Sequence, residues 1–254
     1  MPSSENSKIL GVIPARYAST RFPGKPLAMI CGKPMIQWTY ENSLKCSLLD
    51  QVVIATDDER IFNTCKEFGG NVVMTSNSHP TGTDRVREVA IAFPEYSHVV
   101  NIQGDEPGIE KDLLEGTIQQ YLKNPDWEMG TAAVVMTTIE AEDPNRVKLV
   151  FDSNHKAQYF SRNPIPAIFP KSNTQHPTYY RHIGIYIYKR SALLEYPTLP
   201  KSDWEAAESL EQLRGLQNGF RISVYIAKSS GLSVDTPEDL KVVEKEFQKI
   251  YQNH

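Results

Sequence analysis

Four short apolar runs recur along the first hundred residues: 8–14 (KILGVIP), 51–56 (QVVIAT), 71–75 (NVVMT) and 98–103 (HVVNIQ). Each is β-branched and too short for a buried helix, and each reads as a strand covered on both faces. Helical patterns lie between them. Pro34 opens one, with Ile36, Tyr40, Leu44 and Leu48 on a common face. A second is expected from Glu59 to Phe68, stopped by Gly69-Gly70. A third starts at Asp84, with Thr83 as its cap. A fourth, after residue 107, sets Leu114, Ile118, Tyr121 and Leu122 on one face. Strand–helix–strand alternation of this kind specifies a parallel, doubly wound sheet.

The second half breaks that rhythm. Residues 131–137 (TAAVVMT) form a further strand, and 143–161 alternate as an antiparallel hairpin turning at Asp152-Ser153-Asn154. NPIPAIFPKSNTQHP has four prolines and no helical period, so it reads as an extended excursion that returns through the strand 179–189 (YYRHIGIYIYK). A single helix is expected from Trp204 to Gln217, with Leu210, Leu213 and Leu216 on one face and Glu208, Glu211, Gln212 and Gly215 on the other. FRISVYIA is a strand. Thr236 as N-cap, Pro237 in the first turn and Asp239 behind them start a last helix that buries Leu240, Val243, Phe247 and Ile250.

The loop after the first strand carries Arg16, Arg21 and Lys25, hydroxyls at Ser19 and Thr20, a Pro23-Gly24 turn and no carboxylate. In an open α/β sheet this loop lies at the carboxyl edge, where ligands bind. Its cations and backbone N–H groups suit a polyphosphate; a solvated basic loop is the alternative. It is neither a P-loop, since Pro26 follows Gly24-Lys25, nor a G-x-G-x-x-G fingerprint. A net charge of −4 makes these cations a local device and argues against a general nucleic-acid binder. Asp105 ends the fourth strand, where an unpaired acid is costly, and a hard cation is its natural partner. Asp235 stands just outside the last helix, free for a metal or serving as an extra capping acid. Three cysteines without C-x-x-C spacing read as reduced thiols. With no leader-like start and no run of membrane-spanning length, the expectation is a soluble, cytoplasmic protein.

IPARYASTRFPGKPL resembles the signature loop of the sugar-activating cytidylyltransferases, and most closely of those that use 3-deoxy-manno-octulosonate (Kdo). The resemblance runs from residue 9 to about 243 and includes QGDEP, FSR, RHIGIYIYK, ESLEQLR and VDTPEDL in the family's order. It implies an α/β fold, a doubly wound, mainly parallel Rossmann-like sheet with a small antiparallel excursion. The chain would divide into a nucleotide-binding core (1–142), an excursion for sugar binding and dimerisation (143–200), and a return to the core (201–254).

The reaction implied is CTP + Kdo → CMP-Kdo + pyrophosphate, which activates Kdo for lipopolysaccharide synthesis. The resemblance makes Arg16, Ser19, Arg21, Lys25, Thr81, Gly82 and Arg85 the CTP-binding set, and Asp105 and Asp235 the Mg²⁺ ligands. Catalysis falls to Arg16, Lys25, Asp105 and Asp235. Gln103, Arg162, His182, Tyr186, Glu211 and Gln212 would receive the sugar, although His182 also reads as a satisfied core histidine and Glu211 as a solvated helix residue. The expected partners are CTP and Kdo, with a homodimer and neither nucleic acid nor membrane. A CMP-sialic acid synthetase, or a non-catalytic nucleotide or sugar-acid sensor on the same fold, is the alternative.

Overall fold

The computed structural model describes residues 7–18, 22–169 and 177–251. Strand β1 (Ile9–Ala15) leads through one 3-10 turn (Lys25–Leu27) to a small ribbon, β2 (Met29–Ile30) and β3 (Lys33–Pro34), and then to helix α1 (Met35–Ser43). Next come β4 (Gln51–Thr56), α2 (Glu59–Glu67), β5 (Val72–Met74), α3 (Gly82–Ala92), β6 (His98–Asn101) and α4 (Lys111–Leu122). The chain continues with β7 (Met129–Met136), α5 (Thr138–Ala141), β8 (Lys148–Phe151), β9 (Ala157–Ser161) and β10 (Tyr179–Lys189). It finishes with α6 (Arg190–Glu195), α7 (Asp203–Glu208), α8 (Gln212–Gln217), β11 (Ile222–Ala227) and α9 (Pro237–Tyr251). Two compact units divide it: residues 1–115 with 231–254, and residues 116–230. The segment 143–200 lies inside the second unit, together with β7 and β11.

In the first unit, β6, β1, β4 and β5 lie side by side in that order, all parallel. Leu10, Val12, Ile13, Val53, Ile54, Val99 and Val100 are fully buried, which is why these strands read as continuous apolar runs. Asp58 caps α2 through the Arg60 N–H, and Gly69, at φ 75°, takes the left-handed position that ends it.

Helix α1 differs from expectation. It stops at Ser43, and Leu44 is 53% exposed beyond it. Its buried residues are Met35, Ile36, Trp38, Thr39, Asn42 and Ser43. The polar members are satisfied: Ser43 Oγ donates to Thr39 O at 2.7 Å, and Asn42 Nδ2 to Pro107 O at 2.6 Å. Trp38 packs edge-on against Phe247 of α9 at 4.9 Å. Helix α9 starts on the expected box, Asp239 N donating to Thr236 Oγ1 and Thr236 N to Asp239 Oδ2. It buries Val243 and Phe247, whereas Ile250 is exposed.

In the second unit, β11 pairs with β7 in parallel, while β7–β10, β10–β8 and β8–β9 are antiparallel. The β8–β9 hairpin matches the expected turn. Between Ile183 and Tyr186, β10 bulges by two residues against Ala132 and Thr131 of β7. The expected helix 204–217 is broken. Helix α7 ends at Ser209, which adopts φ 51°, and α8 starts at Gln212 behind Glu211. Arg162 holds the break by donating to Glu208 O at 2.7 Å and Ser209 O at 3.3 Å, while the Glu208 carboxylate accepts from Ser161 Oγ and Arg162 N. No helix among the described residues is long and apolar enough to cross a membrane.

Candidate active site

The carboxyl ends of β1 and β6 and the start of α3 enclose a cavity of about 540 Å³ in the first unit. Pro14, Arg16, Lys25, Thr81, Gly82, Gln103 and Asp105 are on its wall. Close backbone approach shapes it. A Cβ on Gly104 would stand 2.8 Å from Pro14 O, so the turn after β6 can lie against the end of β1 only with glycine there.

Lys25 is the centre of the electrostatics. Its Nζ donates to Asp105 Oδ2 at 2.6 Å and to Val234 O at 2.9 Å, and lies 3.7 Å from Asp235 Oδ1. Two segments distant in sequence are thereby pinned together, and Val234 N donates to Asp105 O at 2.9 Å between them. Gly231 and Gly108 permit this: a Cβ on Gly231 would meet Gly108 O at 2.6 Å, and one on Gly108 would meet Leu232 Cβ at 2.7 Å. The two acids named from the sequence thus converge on one cation-sized position. Lys25 side-chain exposure is 11%, against 34% for Asp105 and 51% for Asp235, so the carboxylates face water beside a sheltered ammonium.

Arg16 clamps the opposite wall. Its guanidinium donates to His79 O at 3.0 Å, to Pro80 O at 3.3 Å and to Thr81 O. These carbonyls lead into α3, whose N-cap is Thr81 in place of the expected Thr83. Asp84 N donates to Thr81 Oγ1 at 3.1 Å, and Asp84 Oδ2 accepts from Thr81. The cap places Gly82 as the first helical residue on the cavity wall, where the helix end presents N–H groups and a positive dipole.

Arg85 stands behind that wall. It is fully buried and does not line the cavity. It donates to Thr75 Oγ1 at 2.6 Å and Asp57 Oδ2 at 2.7 Å, binding the ends of β4 and β5 to α3. Arg85, expected in the CTP-binding set, thus forms a supporting ion pair behind the wall in this structure. Ser19 and Arg21 lie outside the described residues.

The sugar candidates divide between the two units, Gln103 in the first and the remaining five in the second. In the second unit the β10 bulge brings His182 and Tyr186 together, with ring centroids 5.4 Å apart. Thr131 Oγ1 lies 2.8 Å from Ile185 O, 3.2 Å from Ile183 O and 3.0 Å from His182 Nε2, so one hydroxyl ties the His182 ring to the backbone of the bulge. Burial, helped by Arg181, pushes the His182 pKa down to about 3, and the ring is neutral at pH 7. Burial also raises the Tyr186 phenol, with Tyr196 and the Glu211 carboxylate contributing.

Glu211 precedes α8, and its carbonyl accepts from Tyr196 Oη at 2.6 Å. Gln212 and Gly215 are buried, and a Cβ on Gly215 would meet the Tyr196 ring at 3.0 Å. The expected polar face of Glu208, Glu211, Gln212 and Gly215 therefore does not exist as one surface. Arg162 is engaged with Pro144 O, Glu208 O and Ser209 O, which makes it a clasp for the loop that follows β9.

No motif marks Asp57 and Thr75 as partners of Arg85; their positions at strand ends are the available signal. Lys148 is fully buried and donates to Asp143 O at 3.0 Å and to Arg162 O. Lysine at a strand start carries no mark of such burial. Among the described residues there is no cluster of three or more His, Cys, Asp or Glu that could hold a metal.

The family model for cytidylyltransferases matches residues 10–226. A 3-deoxy-manno-octulosonate cytidylyltransferase of Leptospira biflexa serovar Patoc is 55% identical over 245 residues, covering 96% of this chain and 98% of the relative. Its counterpart in Protochlamydia amoebophila is 45% identical over 242 residues, covering 94% and 93%. A solved CMP:2-keto-3-deoxy-manno-octonic acid synthetase complexed with CTP superposes with TM-score 0.91 at 42% identity, covering 96% of this chain and 100% of that one. Matched by the family model along most of its length and by relatives along nearly all of theirs, this chain belongs to the cytidylyltransferase family and is a nucleotidyltransferase.

Proposed function

We propose that this enzyme transfers CMP from CTP to the anomeric hydroxyl of Kdo, releasing pyrophosphate, as a cytoplasmic homodimer that activates the sugar for lipopolysaccharide synthesis. The observation that carries the reading is the convergence of Asp105 and Asp235 on the Lys25 ammonium beside the cavity. The sugar oxygen forms a bond to the α-phosphorus, the bond from that phosphorus to the β-phosphate oxygen breaks in line, and the hydroxyl proton passes to solvent. Positioning and charge neutralisation suffice for such a transfer.

Lys25, held at the edge of the cavity, is placed to meet the triphosphate and the charge of the departing pyrophosphate. Arg16 fixes the wall that ends in Gly82, so the N–H groups of α3 stand ready for the nucleotide. The acids also suit Mg²⁺. Two hard carboxylate oxygens already share one cation, Lys25 Nζ, and Mg²⁺ takes one or two carboxylates with phosphate oxygens and water. Held by Asp105 and Asp235, it would polarise the α-phosphate and lower the pKa of the attacking hydroxyl.

Purified protein mixed with CTP, Kdo and Mg²⁺ should release pyrophosphate, and omission of any one component should abolish release. Turnover with sialic acid but not Kdo overturns the assignment.

A further inference from the structure

Arg60 is a cation that neither the cavity nor the acid pair uses. It is the second residue of α2, its side chain is 59% exposed, and its guanidinium carbon sits 3.2 Å from the centroid of the Tyr17 ring. Asp58 holds that guanidinium at two points, Arg60 Nε donating to Oδ1 at 3.0 Å and Nη2 to Oδ2 at 2.6 Å. Asp58 is itself fixed: it accepts from Arg60 N as the helix cap, and its own N–H donates to Thr56 Oγ1 at the end of β4. An exposed arginine in water samples many rotamers, whereas a two-point carboxylate fork beneath an aromatic ring selects one.

Tyr17 passes that order on to the cationic loop. Its carbonyl accepts from Gly24 N at 2.9 Å, one residue before Lys25. Gly24 is left-handed at φ 71°, and a Cβ there would lie 3.1 Å from Tyr17 Cε2 and Cζ. The ring therefore packs on the turn that launches Lys25, and Gly24 caps the 3-10 turn in which Lys25 stands. A continuous run of contacts leads from Thr56 through Asp58, Arg60, Tyr17 and Gly24 to the ammonium on Asp105.

We propose that Asp58 and Arg60 are positioning residues for the phosphate-binding loop, acting on Lys25 through the Tyr17 ring. The proposal rests on the reading of this cavity as a nucleoside triphosphate site, and it concerns the phosphates and not the base. Arg60 touches no substrate in this role. Its charge is spent on the ring, which is why a basic residue belongs there without facing the cavity.

Calorimetric titration of wild type, Arg60→Ala, Arg60→Lys and Asp58→Asn with CTP, cytidine and inorganic tripolyphosphate tests this. Arg60→Ala should weaken CTP and tripolyphosphate about three- to tenfold and leave cytidine within about twofold. Arg60→Lys, which keeps a cation over the ring, should recover most of the loss, and Tyr17→Leu combined with Arg60→Ala should be non-additive. Unchanged tripolyphosphate affinity in Arg60→Ala overturns the proposal, as does an equal loss for cytidine. A lowered melting temperature with wild-type affinities also overturns it, since the pair then only caps α2. Wild-type binding of tripolyphosphate without CTP would instead refute the substrate reading, and the Arg60→Ala comparison on tripolyphosphate would still decide the positioning role. Failure of wild type to bind either one overturns both.

Discussion

A lysine as sheltered as Lys25 needs its protons placed, because an ammonium taken out of water without partners costs several kcal/mol. One carboxylate at 2.6 Å, a carbonyl at 2.9 Å and a second carboxylate at 3.7 Å supply those partners. The same contacts hold the acids together, so removing the ammonium leaves two like charges facing each other. Lys25→Met is therefore expected to lower kcat/KM for CTP at least about tenfold, a charge-assisted contact being worth roughly 1.5–3 kcal/mol. It should also lower the melting temperature of the apo protein, with added Mg²⁺ restoring part of the loss because a cation again separates the acids. Steady-state kinetics and thermal melts with and without Mg²⁺ check this, and wild-type kinetics would reduce the loop to a basic surface. Lys25, Asp105 and Asp235 are legible in the sequence because each is a charge in a loop or turn flanked by Pro or Gly, or just ahead of a helix cap. The roles of Arg85 and Arg162 are not. Arg85 finds Asp57 from a position 28 residues away, and the partners of Arg162 are largely backbone carbonyls, which leave no trace in composition.

At the scale of elements, the break between α7 and α8 shows what periodicity misses. Leu210 and Leu213 are buried as the helical pattern requires, yet the chain between Glu208 and Gln212 is not helical. Hydrophobic spacing constrains which residues face the core, and it tolerates a kink that keeps them there. What imposes the kink is Arg162, which takes up the Glu208 and Ser209 carbonyls at the end of α7, and Tyr196, whose hydroxyl takes the Glu211 carbonyl. Helix α1 misleads by the opposite route, since Thr39, Asn42 and Ser43 are buried polar residues that an apolar stripe does not reveal. Three substitutions separate these contributions. Ser209→Gly should be neutral or mildly stabilising at φ 51°, whereas Ser209→Val should cost about 1–2 kcal/mol, the left-handed region being hostile to a branched side chain. Arg162→Ala should cost about 1–3 kcal/mol by stranding its carbonyl partners. Denaturant unfolding measures all three, and an Arg162→Ala protein of wild-type stability with a raised KM for Kdo would return that residue to the sugar.

For the whole molecule, the parallel direction of β6, β1, β4 and β5 follows from alternation, because strands joined by helical crossovers run the same way, whereas their lateral order is seen only in the structure. The second unit obeys no such rule, and like the first it exposes several large apolar side chains. Val135 is 56% exposed, Ile139 86%, Ile168 43% and Phe169 68%, all within residues 116–230. A contiguous patch of such groups marks an association surface, and the proposed homodimer assigns that part to these four. Burying each would return roughly 1.5–3 kcal/mol, against a substantial loss of translational and rotational freedom on association. Several such groups acting together are therefore needed, and charging two of them should be enough to prevent pairing. The homodimer proposed above then predicts twice the chain mass in sedimentation at micromolar concentration. Ile139→Glu combined with Phe169→Glu should sediment as a monomer with an unchanged circular dichroism spectrum, since both side chains lie outside the core. A wild-type protein that sediments as a monomer ends the dimer proposal. A charged variant that stays dimeric moves the interface to another face, because no apolar contact survives a carboxylate placed at its centre without a partner.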